Sequence, residues 1–139
     1  MTEISAVLIA SSACLVLMLG AIHLFYTFVG SKLHPRDAEL KTRLDQAPLI
    51  LTRETNMWAA WLGFNASHSV GALLFGALYG YLALMQSELL LQSGFLLALG
   101  LITLTGYVFL AKCYWFSIPF RGFLLAFVLY ASAIIFEFI

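Results

Sequence analysis

The side chains able to do chemistry are few in this 139-residue chain, and they recur at helical spacing. His23, Asn65 and His68 could share a proton, hydrogen-bond a ligand or coordinate a metal, Thr103 and Tyr107 could add hydroxyls, and Trp58 and Trp61 could stack on a flat apolar molecule. On an α-helix, Glu54, Trp58, Trp61, Asn65, His68, Ala72, Phe75 and Tyr79 fall within one sector of about 100°. Ser12, Val16, Leu19, His23, Thr27 and Gly30 share a sector of about 80° on a second helix, and Gly100, Thr103, Gly106, Tyr107 and Tyr114 mark a face of a third. Turning the three faces inward makes His23, Trp58, Trp61, Asn65, His68, Thr103 and Tyr107 the candidate ligand-binding residues of a polar pocket, rimmed by Glu54, Trp58 and Lys112. Each has a plainer reading beside it. An imidazole or amide in a membrane helix often only bridges two helices, and Glu54 would favour the dipole at the first turn of its helix.

Haem or a metal held by His23 and His68 needs the two rings at one depth. Counted from Gly30 and Glu54, His23 lies ~10 Å and His68 ~20 Å from the membrane edge, so no cofactor is expected. No His or Cys stands three or four residues from either histidine, and no Glu-x-x-His pair is present, so no metal site is expected. Cys14 and Cys113 belong to no Cys-x-x-Cys pair and lie too far apart in depth to bond to each other. They read as packing thiols.

The elements that must position these groups follow from composition. Hydrophobic residues make up 63% of the chain and charged residues 10%, with seven Lys+Arg against seven Asp+Glu. Soluble domains carry about 25% charged residues, so a water-soluble globule is excluded as the default, and with no basic field a nucleic-acid partner is not expected. Ile4–Ser31, Thr55–Ser87 and Leu89–Ala111 contain no charged residue, and Ile118–Ile139 contains only Arg121 and Glu137. About 20 apolar residues cross a bilayer, and without alternating strands such runs are helices. The expected fold is an all-α, polytopic membrane four-helix bundle running up-down-up-down as one domain over 1–139. Its spans cover about 5–30, 54–85, 89–111 and 118–138, with a loop at 31–53. The first run lacks a basic flank and exceeds the ~7–15 apolar residues of a signal peptide, so it is expected to stay as a helix.

Lys32, Arg36, Lys41, Arg43 and Arg53 fall in the long loop, and Lys112 and Arg121 flank the short loop on the same side. The other side holds Glu3, Glu88 and Glu137. The positive-inside rule makes the basic side cytoplasmic and puts both termini outside the cytoplasm of an inner membrane. Tyr26, Trp58, Trp61, Tyr114 and Trp115 would belt the cytoplasmic interface, and Tyr79, Tyr81 and Phe138 the outer one. Within the loop, Pro35 and Asp37 suit a helix start and Pro48 a stop. Leu40, Leu44 and Ala47 would face the headgroups, with Lys41, Arg43 and Asp45 turned away. The loop is either a lid over the pocket or an ordinary basic connection.

On the second span, opposite the polar face, Ala59, Gly63, Ser67 and Gly71 make the small-residue stripe that lets helix backbones approach closely. Spans without an internal repeat, a central charge or a broken helix lack the marks of a transport pathway. The first function class is therefore a structural one: a small oligomeric or accessory subunit, whose partners are the lipid bilayer and either itself or other membrane subunits. The alternative is an intramembrane enzyme or binder of a lipophilic small molecule.

The stretch RETNMWAAWLGFNASHSVGALLFGALYG, Arg53–Gly80, with GAIHLFYTF ending the first span, resembles a family of small bacterial four-helix membrane proteins that have no assigned activity. That resemblance implies the four-span architecture alone. In layout the chain is also similar to membrane-associated proteins of eicosanoid and glutathione metabolism, which are four-span trimers holding a thiol cofactor between subunits. The likeness would give Arg53, Glu54, Asn56, Tyr107, Tyr114 and Arg121 comparable places, but Arg53 is the only arginine near the second helix, whereas that family's pattern is arginine-rich.

Overall fold

In an apolar run the backbone amides can close only on the carbonyls of the same segment. In the computed structural model, which describes residues 2–138, the regular elements are accordingly helices: α1 (Thr2–Phe28), α2 (Ala38–Gln46), α3 (Met57–Met85), α4 (Ser87–Gln92), α5 (Gly94–Tyr114) and α6 (Ser117–Phe138). α1, α3, α5 and α6 are long and apolar enough to cross a membrane. Four such helices are consistent with a multi-pass membrane protein.

The element ends show where local chemistry overrides hydrophobicity. α1 ends at Phe28 and the chain turns through Gly30, at φ +83°. α3 starts at Met57, later than the expected residue 54, because Asn56 Oδ1 accepts from Ala59 N at 2.8 Å and so caps the first turn. Glu54 precedes the helix and is exposed, so the dipole role expected for it does not hold. The third apolar run is broken at Ser93, whose hydroxyl accepts from Leu96 N and starts α5 anew at Gly94. Lys112 and Arg121, expected to flank a loop, stand on α5 and α6, with only Trp115 and Phe116 between the helices.

The chain divides into two compact units. One comprises the chain up to Leu19 together with Ala72 onward, the other Gly20–Gly71. The first unit holds the main core: Ile9, Ala13 and Val16 of α1, Phe75 and Tyr79 of α3, Leu97 and Leu104 of α5, and Phe123, Ala126 and Tyr130 of α6 are buried. Lipid tails are as apolar as leucine, so close fit and hydrogen bonds hold these helices together. At Gly76 a Cβ would stand 2.7 Å from both Ala13 O and Leu17 Cβ, so this glycine is what lets α3 touch the α1 backbone. Ser12 Oγ donates to Ala126 O at 2.7 Å and ties α1 to α6. Tyr79 Oη donates to Leu96 O at 2.7 Å and Tyr130 Oη to Leu97 O at 3.3 Å. Tyr79, expected in the outer aromatic belt, is a core residue stacked on Phe75 at 4.5 Å.

α5 is rotated from the expected orientation. Leu97, Gly100, Leu104 and Ala111 are buried, while Gly106 and Tyr114 of the expected face are exposed. Gly100 lies against Tyr130, where a Cβ would clash with the ring.

Gly76→Ala is expected to lower stability by about 1–3 kcal/mol through overpacking. Gly63→Ala, where a Cβ meets nothing within 4 Å, should raise stability by up to about 1 kcal/mol. Denaturant titration in mixed micelles measures both, and equal effects would contradict the packing described.

Candidate functional site

The polar residues of the second unit come from three local sources: the end of α1, the loop carrying α2, and the start of α3. α1 presents His23, whose carbonyl accepts from Thr27 Oγ1 at 2.8 Å. One face of α3 presents Trp58, Trp61, Asn65 and His68. Asn65 Nδ2 donates to Trp61 O at 2.8 Å, which leaves Oδ1 as the acceptor that meets His23 Nε2 at 3.1 Å. In this arrangement His23 Nε2 carries the hydrogen and donates it to Asn65 Oδ1. Ser69 Oγ donates to Asn65 O at 3.0 Å.

His23 and His68 meet edge to face, with ring centroids 5.4 Å apart and planes at 81°. The expected depth gap between them is therefore absent. Its premise was that the ends of the two helices lie level, but Trp61 Nε1 donates to Leu33 O at 3.3 Å. The chain leaving α1 thus reaches the level of the second turn of α3, and His23 comes opposite Asn65 and His68. These are the two imidazoles a metal ion would use. Among the described residues no group of three or more His, Cys, Asp or Glu side chains is placed to hold one.

The loop fastens onto the same helix start. His34 meets the Trp58 ring edge to face at 4.9 Å, and Lys41 Nζ stands 5.0 Å from its centroid. Met57 N donates to Ala47 O at 2.9 Å. Trp58 is buried under these groups, at 8% exposure, whereas Trp61 is 47% exposed. Trp58 therefore walls no open pocket. The amphipathic α2 forms as expected, with Asp37 capping it through Glu39 N and Leu40 N. Its covered side differs, however: Lys41 and Leu44 are half-buried and Leu40 is exposed. The ammonium of Lys41 on an indole face, a cation–π contact, accounts for the change.

Thr103 and Tyr107 belong to the other unit. Thr103 Oγ1 donates to Leu99 O in its own helix at 2.8 Å, and Tyr107 stacks on Phe123 at 4.6 Å. Lys112 Nζ lies 5.1 Å from the Phe120 ring centroid. Of the residues singled out by layout, Arg53, Glu54 and Asn56 line one open concavity of about 370 Å3, while Tyr114 and Arg121 are exposed on α5 and α6. Sequence reasoning missed Leu33 O, His34 and Lys41 as partners of the tryptophans. The available signal was the pair Trp58 and Trp61 at the start of an apolar helix, since an indole N–H there calls for a nearby acceptor.

No protein-family model, curated protein or solved structure matches the chain.

The His23–Asn65 bond is expected to show a coupling energy of about 0.6 kcal/mol, and at most about 1.7 kcal/mol, in a double-mutant cycle of His23→Ala and Asn65→Ala. Unfolding in mixed micelles measures it, and strict additivity would show that the bond does not hold the helices.

Proposed function

We propose that this chain is a non-enzymatic integral membrane protein that works as a self-assembling or accessory subunit, with Ala59, Gly63, Ser67 and Gly71 of α3 as its contact face. One observation carries the reading: all four residues are exposed, and the surface they make is smooth. A Cβ at Gly63 would meet nothing within 4 Å, and the Ser67 hydroxyl is folded back onto Phe64 O at 3.0 Å. The polar groups on the other side of α3 support the same reading, because Asn65 and His23 satisfy each other and Asn65 bonds its own helix. Side chains engaged in this way join helices.

The seven basic residues support an inner-membrane orientation with the α2 loop and the α5–α6 connection in the cytoplasm and both termini outside. A second reading, binding of a lipophilic small molecule, has in its favour the half-exposed indole of Trp61, whose Nε1 donates to Leu33 O and whose backbone carbonyl accepts from Asn65 Nδ2.

Gly63→Leu and Gly71→Leu should convert a detergent-solubilised assembly to a smaller species in sedimentation or light scattering, while His68→Ala leaves its mass unchanged. If the leucine variants keep the native mass, the assembly reading is wrong. Mass spectrometry of protein purified in native lipid tests the second reading, which requires a stoichiometric small molecule that His68→Ala loses.

A further inference from the structure

Beyond α1 the chain turns through Gly30, and His34 N closes a tight turn on Ser31 O at 3.1 Å. The segment from this turn to α2 walls an open concavity of about 490 Å3, whose lining includes Ser31, Lys32, His34, Arg36 and Lys41 and no carboxylate. Two of the nearby acids are engaged away from the concavity, and the third holds one of its lining cations. Asp37 accepts from two amides of α2, Glu39 pairs with Arg43, and Asp45 pairs with Lys41 at 2.9 Å. Aromatic faces hold two of the cations in place: Lys32 Nζ is 3.9 Å from the Tyr26 centroid and Lys41 Nζ 5.0 Å from that of Trp58. The Arg36 side chain is exposed and makes no hydrogen bond or ion pair among the described residues. By contrast, the concavity before α3 sets Glu54 beside Arg53 and is electrically balanced.

A free guanidinium beside the ammonium of Lys32, with a hydroxyl, an imidazole and the Asp45-paired ammonium of Lys41 in the same wall and no carboxylate lining it, is a donor set for a tetrahedral oxyanion. The planar fork of arginine can grip two phosphate oxygens at once. The concavity begins just past Phe28, where a helix of membrane-spanning length ends, and its lining residue Lys32 stands over the Tyr26 ring. At that level of a bilayer the abundant oxyanion is the lipid phosphate. We propose that Arg36 and Lys32, with the Asp45-paired Lys41 beside them, form a binding site for the phosphate of an anionic lipid headgroup. The site does not depend on the α3 contact face or on self-assembly.

The full chain in neutral detergent, titrated with phosphatidylglycerol or phosphatidylcholine and read by native mass spectrometry, tests the proposal. Phosphatidylglycerol should be retained in preference to phosphatidylcholine. Arg36→Gln should weaken its binding about ten-fold, with a loss of the same order for Lys32→Gln. Arg43→Gln removes one charge from the same loop at an exposed, ion-paired position and should leave binding unchanged. Equal retention of the two lipids would overturn the site, as would an Arg43→Gln loss matching that of Arg36→Gln, the mark of diffuse loop charge. Displacement of phosphatidylglycerol by millimolar inorganic phosphate would make this a free-anion site and overturn the assignment to lipid.

Discussion

A hydroxyl or amide inside hydrocarbon has no water to return to, so its hydrogen bond must be found within the protein. In this chain that constraint sorts the polar side chains of the apolar helices into two kinds. Thr27, Ser67, Ser69, Thr103 and Thr105 donate to carbonyls of their own helix. Such bonds satisfy the group but set no relation between helices. Ser12 on Ala126 O, Tyr79 on Leu96 O, Tyr130 on Leu97 O and His23 on Asn65 cross from one helix to another, and each fixes a register as well as filling a need. Ser5 is an exception, buried with no partner among the described residues.

Within the first unit the inward faces are chosen by size. Gly76 and Gly100 are the positions where a neighbour comes closest, and the groups that approach them are Ala13 O with Leu17 in one case and the Tyr130 ring in the other. This explains why α5 turns Leu97, Leu104 and Ala111 inward and leaves Gly106 and Tyr114 exposed. Polarity marks the inside of a helix reliably when water is the alternative. When lipid is the alternative, a leucine is equally content on either side and the shape of the neighbouring helix decides.

The same physics separates what was legible in the amino-acid pattern from what was not. The four apolar helices follow from uncharged length alone, and α2 follows from Asp37 as a cap, since both signals are local. The Asn56 cap, the break at Ser93 and the meeting of His23 with His68 were not legible. Caps are single hydrogen bonds that a hydropathy pattern does not register. The histidine contact depends on how far the chain runs alongside α3 before entering it, which the bond from Trp61 to Leu33 O determines. Trp58 shows the same dependence. As an interfacial aromatic it reads as a wall of a pocket, but His34 and Lys41 fold over it and make it part of the loop's anchor.

The exposed face of α3 raises a different question, because at Gly63 no neighbour within 4 Å calls for a glycine. Glycine in a helix interior costs about 1 kcal/mol relative to alanine, and that cost is offset at Gly76 by contact with the α1 backbone. At Gly63 there is no such contact, since open space surrounds the missing Cβ. Phe64, Val70 and Leu74, also exposed on α3, show that bulky side chains are tolerated facing outward on this helix. A surface meeting only fluid acyl chains would gain helix stability from alanine or leucine in place of glycine. On the proposed reading, small residues at Ala59, Gly63, Ser67 and Gly71 would admit a neighbouring helix as close as α1 comes at Gly76, an approach that acyl chains do not require.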